Sequence, residues 1–351
     1  MCYTRHKNLR VVRFFDLLLL CAGWIFFLPA IHCRYCLAGN PFPANELGKV
    51  LILEYHQIEQ CESRWARSVE NFKADLERLW ESGYRPISMS DYLDGRIDLP
   101  SGRKPIILTF DDSSPGQFRY LVKNGGKEID PSCAVGMLVE FHSRHPDFPL
   151  KAVFYVLPEA KQPHKLFGQP EFEREKLREL VRLGFEIGNH TLWHARLDKY
   201  GDAVVQKQLS LAQEAVRKSV QGYKMRSLAL PLGVFPKNSP LALEGFYQGH
   251  AYHHEALLTV AGPPAPSPFS IDCDLKRLPR VQVPGVEFAY WLKYFERHPE
   301  EVFRSDGLPE EVSFPRALDS EYDRSKFPRL KVNSHRSASL ISAQLNSLGR
   351  K

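Results

Sequence analysis

Residues 105–112 read PIILTFDD, and this stretch decides the interpretation of the whole chain. The apolar run 105–108 predicts a buried strand that ends near Asp111 and Asp112. Neighbours on a strand point to opposite faces, but at a strand end the chain can turn both carboxylates toward one pocket. Two adjacent carboxylates repel each other unless a cation or a proton separates them. A metal ion held by one and a proton accepted by the other would satisfy both.

Strands and helices alternate on both sides of this stretch. We predict strands at 50–55, 151–157, 185–188, 227–230 and 251–260, and helices at 69–80, 132–145, 172–183, 202–220 and 286–298. Residues 113–132 read as a long polar loop. Such alternation favours a parallel sheet, and therefore an α/β fold.

Residues that could take part in catalysis follow the predicted strands: His56, Asp111, Asp112, His190 and the turn 231–233. In a β/α barrel the carboxyl ends of the strands form the active face. An open doubly wound sheet gathers its site at the same ends. No glycine-rich phosphate or dinucleotide loop follows the first strand, which disfavours the open sheet.

The composition excludes several classes of protein. The net charge of the 351 residues is +6, but the basic residues crowd the two ends and leave the middle near neutral, so we predict no nucleic-acid partner. Seven cysteines include one CxxC pair, at 33–36, without a second half. The sequence therefore predicts neither a zinc ribbon nor a disulfide framework.

The two ends of the chain differ from its middle. A basic segment, 5–13, precedes an apolar run, 17–31, so we predict that residues 1–38 are a signal peptide or a membrane anchor, followed by a linker at 39–47. The basic flank places the rest of the chain outside the cytoplasm. The alternative is a buried helix of the fold. A catalytic domain at 48–300 then precedes an extension, 301–351, which we expect to be disordered from about residue 318.

Residues 189–194, NHTLWH, contain two histidines four positions apart. His190 and His194 can both bind one metal ion if they share a helical face. With a carboxylate as the third ligand, the site keeps an open position for water, which is typical of catalytic metals. A bound divalent cation lowers the pKa of that water and polarises a carbonyl.

The remaining parts of a hydrolytic site also follow strands. A second carboxylate can act as a general base and a histidine as an acid, and the turn at 231–233 can offer a backbone N–H to an oxyanion. Each part has an ordinary alternative: adjacent aspartates often form a solvated turn, and a lone histidine is often structural. Together they predict metal-assisted hydrolysis of an acyl bond. A serine hydrolase is disfavoured because the chain has no Gly-x-Ser-x-Gly elbow.

Two of these stretches resemble motifs of the polysaccharide deacetylases (the NodB-homology proteins, carbohydrate esterase family 4). Residues 108–112, LTFDD, resemble the first motif, and 185–194, FEIGNHTLWH, resemble the second, His-Ser/Thr-x-x-His. Residues 229–233, ALPLG, look like a weakened third motif. The resemblance covers about residues 48–300. It implies a distorted (β/α) barrel of the NodB-homology type with a single catalytic domain.

The resemblance also implies a role for each site residue. It implies that Asp112, His190 and His194 bind a divalent metal ion, usually zinc, and that Asp111 is the base that activates water. The backbone N–H of Leu232 would lie where the family's oxyanion donor lies, with its neighbours Pro231 and Gly233 lining the groove.

The chain departs from the family's pattern in the first and third motifs. Ser113 stands where a glycine usually follows the paired aspartates. Ala229 stands where an arginine often steadies the base, and Leu232 replaces the usual aromatic residue. The paired aspartates of the first motif and the His-x-x-x-His of the second are complete.

The general acid, which in the family comes from a C-terminal Leu-x-His motif, must come from elsewhere, because this chain has no convincing copy of that motif. Residues 53–56, LEYH, are similar to the N-terminal Tyr-His of the exopolysaccharide deacetylase branch, so we expect His56 to be the general acid. The fallback candidates are His250, His253 and His254.

These expectations lead to one function. We predict an extracytoplasmic hydrolase that removes N-acetyl groups from an amino-sugar polysaccharide of the cell envelope, such as a poly-N-acetylglucosamine-like exopolysaccharide, peptidoglycan or a lipid-linked glycan. The alternatives are an O-acetyl esterase of the same family and a degenerate member that binds glycan without cleaving it.

Overall fold

The computed structural model describes residues 42–123 and 125–336. In this part of the chain the helices are α1 (Val69–Glu81), α2 (Met89–Leu93), α3 (Ala134–Arg144), α4 (Glu173–Arg182), α5 (Asp202–Arg217) and α6 (Val286–Arg297). The strands are β1 (Leu51–Tyr55), β2 (Gln57–Glu59), β3 (Ala66–Ser68), β4 (Tyr84–Pro86), β5 (Lys104–Phe110), β6 (Tyr120–Lys123), β7 (Gly126–Ile129), β8 (Val153–Val156), β9 (Glu186–Asn189), β10 (Ser227–Ala229), β11 (Glu244–Tyr247), β12 (His250–His253), β13 (Ala256–Leu258), β14 (Val281–Gln282), β15 (Glu311–Pro315) and β16 (Lys331–His335).

The central sheet is parallel, in the order β13-β10-β9-β8-β5-β1-β14, and β4 pairs with β5 beside this path. Residues 278–282 connect its two edges, because Leu278 bridges to Leu258 of β13 while Val281 and Gln282 pair with β1. The curled sheet confirms the prediction of an α/β fold of the distorted-barrel type.

The strands are buried on both faces, as a parallel sheet with helices around it requires. Alternate residues of β1 and β5 enter two different cores: Leu53 and Leu108 pack in one, Ile52 and Ile107 in the other. The first core includes a stack of aromatic rings, in which the ring centroids of Phe110 and Phe154 lie 4.8 Å apart. This packing fixes the strand ends, where the site residues begin.

Three regions differ from the prediction. The predicted loop at 113–132 contains the antiparallel hairpin of β6 and β7. The predicted strand 251–260 is divided between β12, which pairs with β11, and β13 of the central sheet.

The third difference lies after residue 318, where disorder was predicted. Residues 316–321 form a 3-10 helix, β16 pairs in parallel with β15, and Tyr322 is buried against Phe314. The segment is polar on average, but a few apolar side chains, among them Phe327 and Leu330, reach the second core. Residues 337–351 lie outside the described residues.

The predicted N-terminal targeting segment, 1–38, also lies outside the described residues. Within residues 42–123 and 125–336, none of the helices has the length and apolar character needed to cross a membrane.

Candidate active site

The predicted site residues meet at the carboxyl ends of the central strands. His56 follows β1, Asp111 and Asp112 follow β5, and His190 follows β9. Together with His194 and Leu232 they line one pocket of about 740 Å³. The pocket lies where a parallel α/β sheet is expected to hold its ligand.

Asp112, His190 and His194 form a group of three possible ligands. Asp112 Oδ1 lies 3.4 Å from His190 Nε2 and 3.6 Å from His194 Nε2. In a tetrahedral zinc site with bonds of roughly 2.0–2.1 Å, two ligand atoms lie about 3.3–3.4 Å apart. The observed spacing therefore fits a tetrahedral cation.

The tautomer of His190 supports this assignment. Its Nδ1 donates to the carbonyl oxygen of Ala229 at 2.7 Å, which leaves Nε2 with the lone pair that a metal needs. That Nε2 is buried and has no hydrogen-bond partner among the described residues. A buried polar atom without a partner is rare, and a bound cation would satisfy it.

The two histidines do not share a helical face, and a turn brings them together instead. Residues 191–193 form a turn, in which Thr191 (φ 68°) and His194 (φ 62°) have left-handed backbones. The turn is held by side chains: Asn189 Oδ1 accepts from the Thr191 N–H at 2.9 Å, and Thr191 Oγ1 accepts from the Ala195 N–H at 2.9 Å. These bonds bring the rings of His190 and His194 to 5.0 Å.

Left-handed residues other than glycine recur in this site, at Asp112 (φ 73°), Ser113 (φ 48°) and Leu232 (φ 59°) as well as in the histidine turn. Such conformations cost about 1–3 kcal/mol each and concentrate at functional sites. Ser113 replaces the family's glycine at one of them. Its Oγ accepts a hydrogen bond from the Leu157 N–H at 2.7 Å, which explains how a serine is accommodated there.

Asp111 is bound by an arginine that the sequence did not reveal. Both terminal nitrogens of Arg280 donate to its carboxylate, at 2.8 and 2.7 Å, and one of them also donates to Glu54 at 2.7 Å. All three side chains are at most 1% exposed. Burial alone would raise the pKa of Asp111, but the charge of Arg280 outweighs it, so the pKa of Asp111 lies below its usual value.

Arg280 binds Asp111 as the resemblance to the polysaccharide deacetylases would have an arginine at the position of Ala229 do. Arg280 immediately precedes β14, in the segment that connects the two edges of the sheet. Its side chain therefore reaches Asp111 from this segment and not from β10, which contains Ala229. In the sequence, Arg280 is a single arginine before a short apolar run, which is not a distinctive pattern. Glu54 inside the run LILEY is a clearer signal, because a carboxylate in a buried strand requires a cationic partner.

His56 lies in the same pocket, where its ring packs on Trp65 with centroids 4.9 Å apart. Its Nδ1 is buried without a hydrogen-bond partner among the described residues. Ligand atoms of Glu54, His56 and Asp111 all lie within 4.8 Å of one another. This position is compatible with the predicted role of general acid, which stays a prediction.

The three fallback histidines lie elsewhere. His254 is 1% exposed; its Nδ1 donates to the Ala242 carbonyl oxygen at 2.8 Å and its Nε2 accepts from Asn189 at 3.1 Å. His250 pairs with Glu214 and the exposed His253 with Glu244. None of them lines the pocket, so His254 acts by supporting Asn189 and its turn.

The protonation states of Asp112 and His194 favour cation binding at neutral pH. Burial would raise the pKa of Asp112, but the neighbouring His190 and His194 lower it well below its usual range. Burial and then the proximity of His190 lower the pKa of His194 to about 4. Burial also disfavours the charged form of His190, but Asp111 and Asp112 outweigh it and raise its pKa. Asp112 and His194 are thus in the protonation states that ligands require.

The turn at Pro231–Gly233 is a single 3-10 turn after β10. Leu232 lies in its first turn, where a backbone N–H has no intrahelical acceptor. Its side chain is 57% exposed and lines the pocket. At Gly233 (φ 67°) a Cβ would lie 3.1 Å from the Val260 nitrogen, so glycine suits this close approach.

Comparison with known proteins agrees with this geometry. The family model described as polysaccharide deacetylase matches residues 146–245, which include the second motif and the turn at Pro231–Gly233. This match confirms the predicted resemblance to the polysaccharide deacetylases. Among curated proteins, none matches this chain.

Solved structures with a similar fold include three bacterial proteins. The Streptococcus pyogenes deacetylase PplD, in complex with acetate, is 17% identical, with a TM-score of 0.52 over 70% of this chain and 97% of that chain. BC0361, a polysaccharide deacetylase from Bacillus cereus, is 20% identical, with a TM-score of 0.50 over 69% and 68%. BA0330 from Bacillus anthracis is 20% identical, with a TM-score of 0.49 over 67% of this chain, which spans 65% of that protein. At these identities the first two comparisons support the fold.

Proposed function

We propose that this protein is a metal-dependent hydrolase that removes N-acetyl groups from an amino-sugar polysaccharide of the cell envelope. One observation carries this proposal: two adjacent carboxylates have different partners. Asp112 lies with His190 and His194, whereas Asp111 is bound by Arg280. One carboxylate is therefore available as a ligand, and the other is an ionised base beside it.

Each residue then has one task. Asp112, His190 and His194 would hold a divalent ion such as zinc, which when bound lowers the pKa of water and polarises the acetyl carbonyl. Asp111 accepts the proton of the attacking water. The Leu232 N–H donates to the oxygen on which negative charge develops. His56 donates a proton to the leaving amine, so acetate and a free amino sugar are the products.

The aromatic lining of the pocket supports a glycan as the substrate. Trp65 and Trp193, each 39% exposed, line it together with the candidate ligands. Exposed aromatic faces offer rigid apolar surface to the C–H face of a sugar ring at a low cost in conformational entropy. The family match makes a polysaccharide the first class of substrate to test.

We also propose that the protein acts outside the cytoplasm. The support is the sequence alone: the basic segment 5–13 and the apolar run 17–31 have the order of a signal peptide or signal anchor. The division into this segment, a linker at 39–47, a catalytic domain at 48–300 and a C-terminal extension belongs to the same proposal.

Acetate release from the purified full chain tests the proposal. N-acetylglucosamine oligomers and peptidoglycan are incubated with the protein, with chelator, and with chelator followed by zinc. We expect acetate release that chelator abolishes and zinc restores. Release that persists in chelator would contradict metal dependence. Release from O-acetylated sugars alone would indicate the esterase, and bound glycan without release would indicate the degenerate member.

A further inference from the structure

Gln117 lies behind the candidate active site, where its side chain joins the two strand ends that carry the proposed acid and base. It is fully buried and does not line the pocket. Its Nε2 donates to the carbonyl oxygen of His56 at 2.5 Å and also to the carbonyl oxygen of Asp111. One amide nitrogen therefore links the residue after β1 to the residue after β5.

This link lies just beyond the end of the sheet. The parallel register of β1 and β5 ends at Tyr55 and Phe110, and the Asp111 N–H donates to the Tyr55 carbonyl oxygen at 2.9 Å. The carbonyl groups of His56 and Asp111 lie past this last bond of the ladder. The side chain of Gln117 therefore continues the connection between the two strands at the point where the site residues begin.

The bond to Asp111 also holds the peptide that separates the two carboxylates. The carbonyl oxygen of Asp111 lies in the plane of the peptide between Asp111 and Asp112, so fixing this oxygen fixes the plane. The chain turns directly after it, because Asp112 has a φ of 73°. At this turn Asp111 faces Arg280, whereas Asp112 faces His190. Gln117 thus supports the division between base and ligand as well as the position of the acid.

The chemistry of Gln117 suits this task. Both of its partners are carbonyl oxygens, which only accept, so a side chain needs two N–H groups to bind both, and the orientation of the amide is fixed. The Oε1 of Gln117 is buried without a hydrogen-bond partner among the described residues. Burying an oxygen unpaired is costly, which argues that this amide does more than fill space.

The backbone at Gln117 is held from several sides. Its N–H donates to the Ser114 carbonyl oxygen at 3.0 Å, and its carbonyl oxygen accepts from the Val135 N–H, at the start of α3, at 3.0 Å. At the neighbouring Gly116 an added Cβ would overlap with the carbonyl oxygen of Ile58, so only glycine allows this close approach to β2. The side chain therefore extends from a fixed backbone.

We propose that Gln117 is a positioning residue, whose amide sets the separation between the general acid His56 and the base Asp111. This inference rests on the proposed function. Ligand atoms of His56 and Asp111 lie within 4.8 Å of each other, and catalytic groups must be held to about 0.5 Å. Because Gln117 does not line the pocket, its loss should lower kcat and leave KM unchanged.

A double-mutant cycle between Gln117 and His56 tests this role. Gln117→Met keeps the length of the side chain and removes both donors. Gln213→Met is the matched control, because Gln213 is also buried and its amide binds the backbone of Tyr223 and Met225, neither of which lines the pocket. Full chains loaded with zinc are assayed for acetate release, with and without His56→Ala.

We expect Gln117→Met to lower kcat by about 10²-fold at unchanged KM and unchanged zinc content, and Gln213→Met to leave kcat unchanged. In the His56→Ala background Gln117→Met should cost less than about tenfold, because the acid that Gln117 positions is absent. Equal losses in both backgrounds, as general destabilisation would give, or an unchanged kcat would overturn the role.

A more conservative variant keeps the test decisive. Gln117→Glu has the same shape and, when protonated, donates one of the two bonds, so its kcat should lie between those of Gln117→Met and the unsubstituted protein. If Gln117→Met does not fold, Gln117→Glu replaces it in the cycle. A kcat for Gln117→Glu below that of Gln117→Met would contradict the role of the two donors.

A crystal structure of the same Gln117 variant measures the geometry without activity. We expect His56 or Asp111 to move by about 0.5 Å or more. Acetate release by the unsubstituted protein with equal losses in the cycle would overturn the positioning role alone. No release by the unsubstituted protein would overturn the proposed function, and the crystal structure then decides the positioning role: unmoved side chains would overturn it.

Discussion

Asp111 and Asp112 are neighbours in the chain, yet they lie in opposite surroundings. Asp111 is 1% exposed and both of its oxygens bind Arg280. The side chain of Asp112 is 23% exposed, and its neighbours are two histidines, of which His194 is 34% exposed. The interior carboxylate is held by an ion pair, and the outer one by a turn with left-handed backbones.

This difference separates the two tasks of a hydrolytic site. A base must keep one orientation and stay ionised, and a buried guanidinium provides both. A ligand must leave room for a cation and for water, and a partly exposed position provides that. Loss of the interior cation should therefore affect folding, whereas loss of a ligand at the rim should affect metal binding.

The largest effect is expected at the rim, on activity. His194→Ala removes one of three ligands, so stoichiometric metal binding should be lost and acetate release should fall by roughly 10³-fold or more. Metal content after dialysis and acetate release measure both. The control is His253→Ala, an exposed histidine on β12. A variant that keeps stoichiometric metal would contradict the assignment of His194.

The largest effect on stability is expected in the interior. Arg280→Met leaves Glu54 and Asp111 buried without their cation, which should cost about 3–5 kcal/mol in the free energy of unfolding. Urea unfolding measures it. Arg182→Met, which removes an exposed pair with Glu179, should leave the free energy of unfolding nearly unchanged. Similar losses in the two variants would show that the interior ion pair does not stabilise the fold.

A smaller, pH-dependent effect is expected behind the histidine turn. Burial lowers the pKa of His254 to about 4, below its usual value of 6.5. As the pH falls, His254 takes up a proton in the unfolded chain at a higher pH than in the folded protein. Its contribution to the free energy of unfolding is therefore complete above about pH 6.5 and is lost as the pH falls toward 4, by roughly 3 kcal/mol in all.

Metal-free protein unfolded in urea between pH 7.5 and 4.5 measures this slope. His254→Gln should flatten it, whereas His298→Gln, at a partly exposed position after α6, should leave it unchanged. An unchanged slope in His254→Gln would contradict the role of His254.

The smallest effect is expected at Ser113. Ser113→Gly removes the strain of the left-handed backbone but also loses the hydrogen bond from Leu157. Because the gain cancels only part of the loss, the free energy of unfolding should fall by about 1 kcal/mol. Ser113→Ala loses the same bond and keeps the strained backbone. Thermal unfolding should therefore rank alanine below glycine; the reverse order would contradict this account of the replaced glycine.

The fold and the grouping of the candidate ligands were predictable because each depends on a local pattern. The apolar strands and the helical spacing between them indicate a parallel sheet, and Asp112, His190 and His194 lie in two short motifs. The turn at 191–193 could not be predicted from the spacing of the histidines, because four-residue spacing is also what a helix produces, and only the side-chain bonds of Asn189 and Thr191 distinguish the two.

Arg280 could not be predicted in the same way. Its contact with Asp111 spans 169 positions in the chain and exists only because residues 278–282 connect the edges of the sheet. The order of residues 318–335 was missed for a similar reason, since β16 is polar in sequence and gains its structure by pairing with β15.

The most direct test of the central claim is Asp111→Asn. If Asp111 is the base and Asp112 the ligand, the variant should bind zinc at the stoichiometry of the unsubstituted protein, while acetate release falls by roughly 10²–10⁴-fold. Zinc content and acetate release, measured on one preparation, decide it. Retained activity would remove Asp111 as the base, and loss of zinc together with activity would contradict the division of tasks between the two carboxylates.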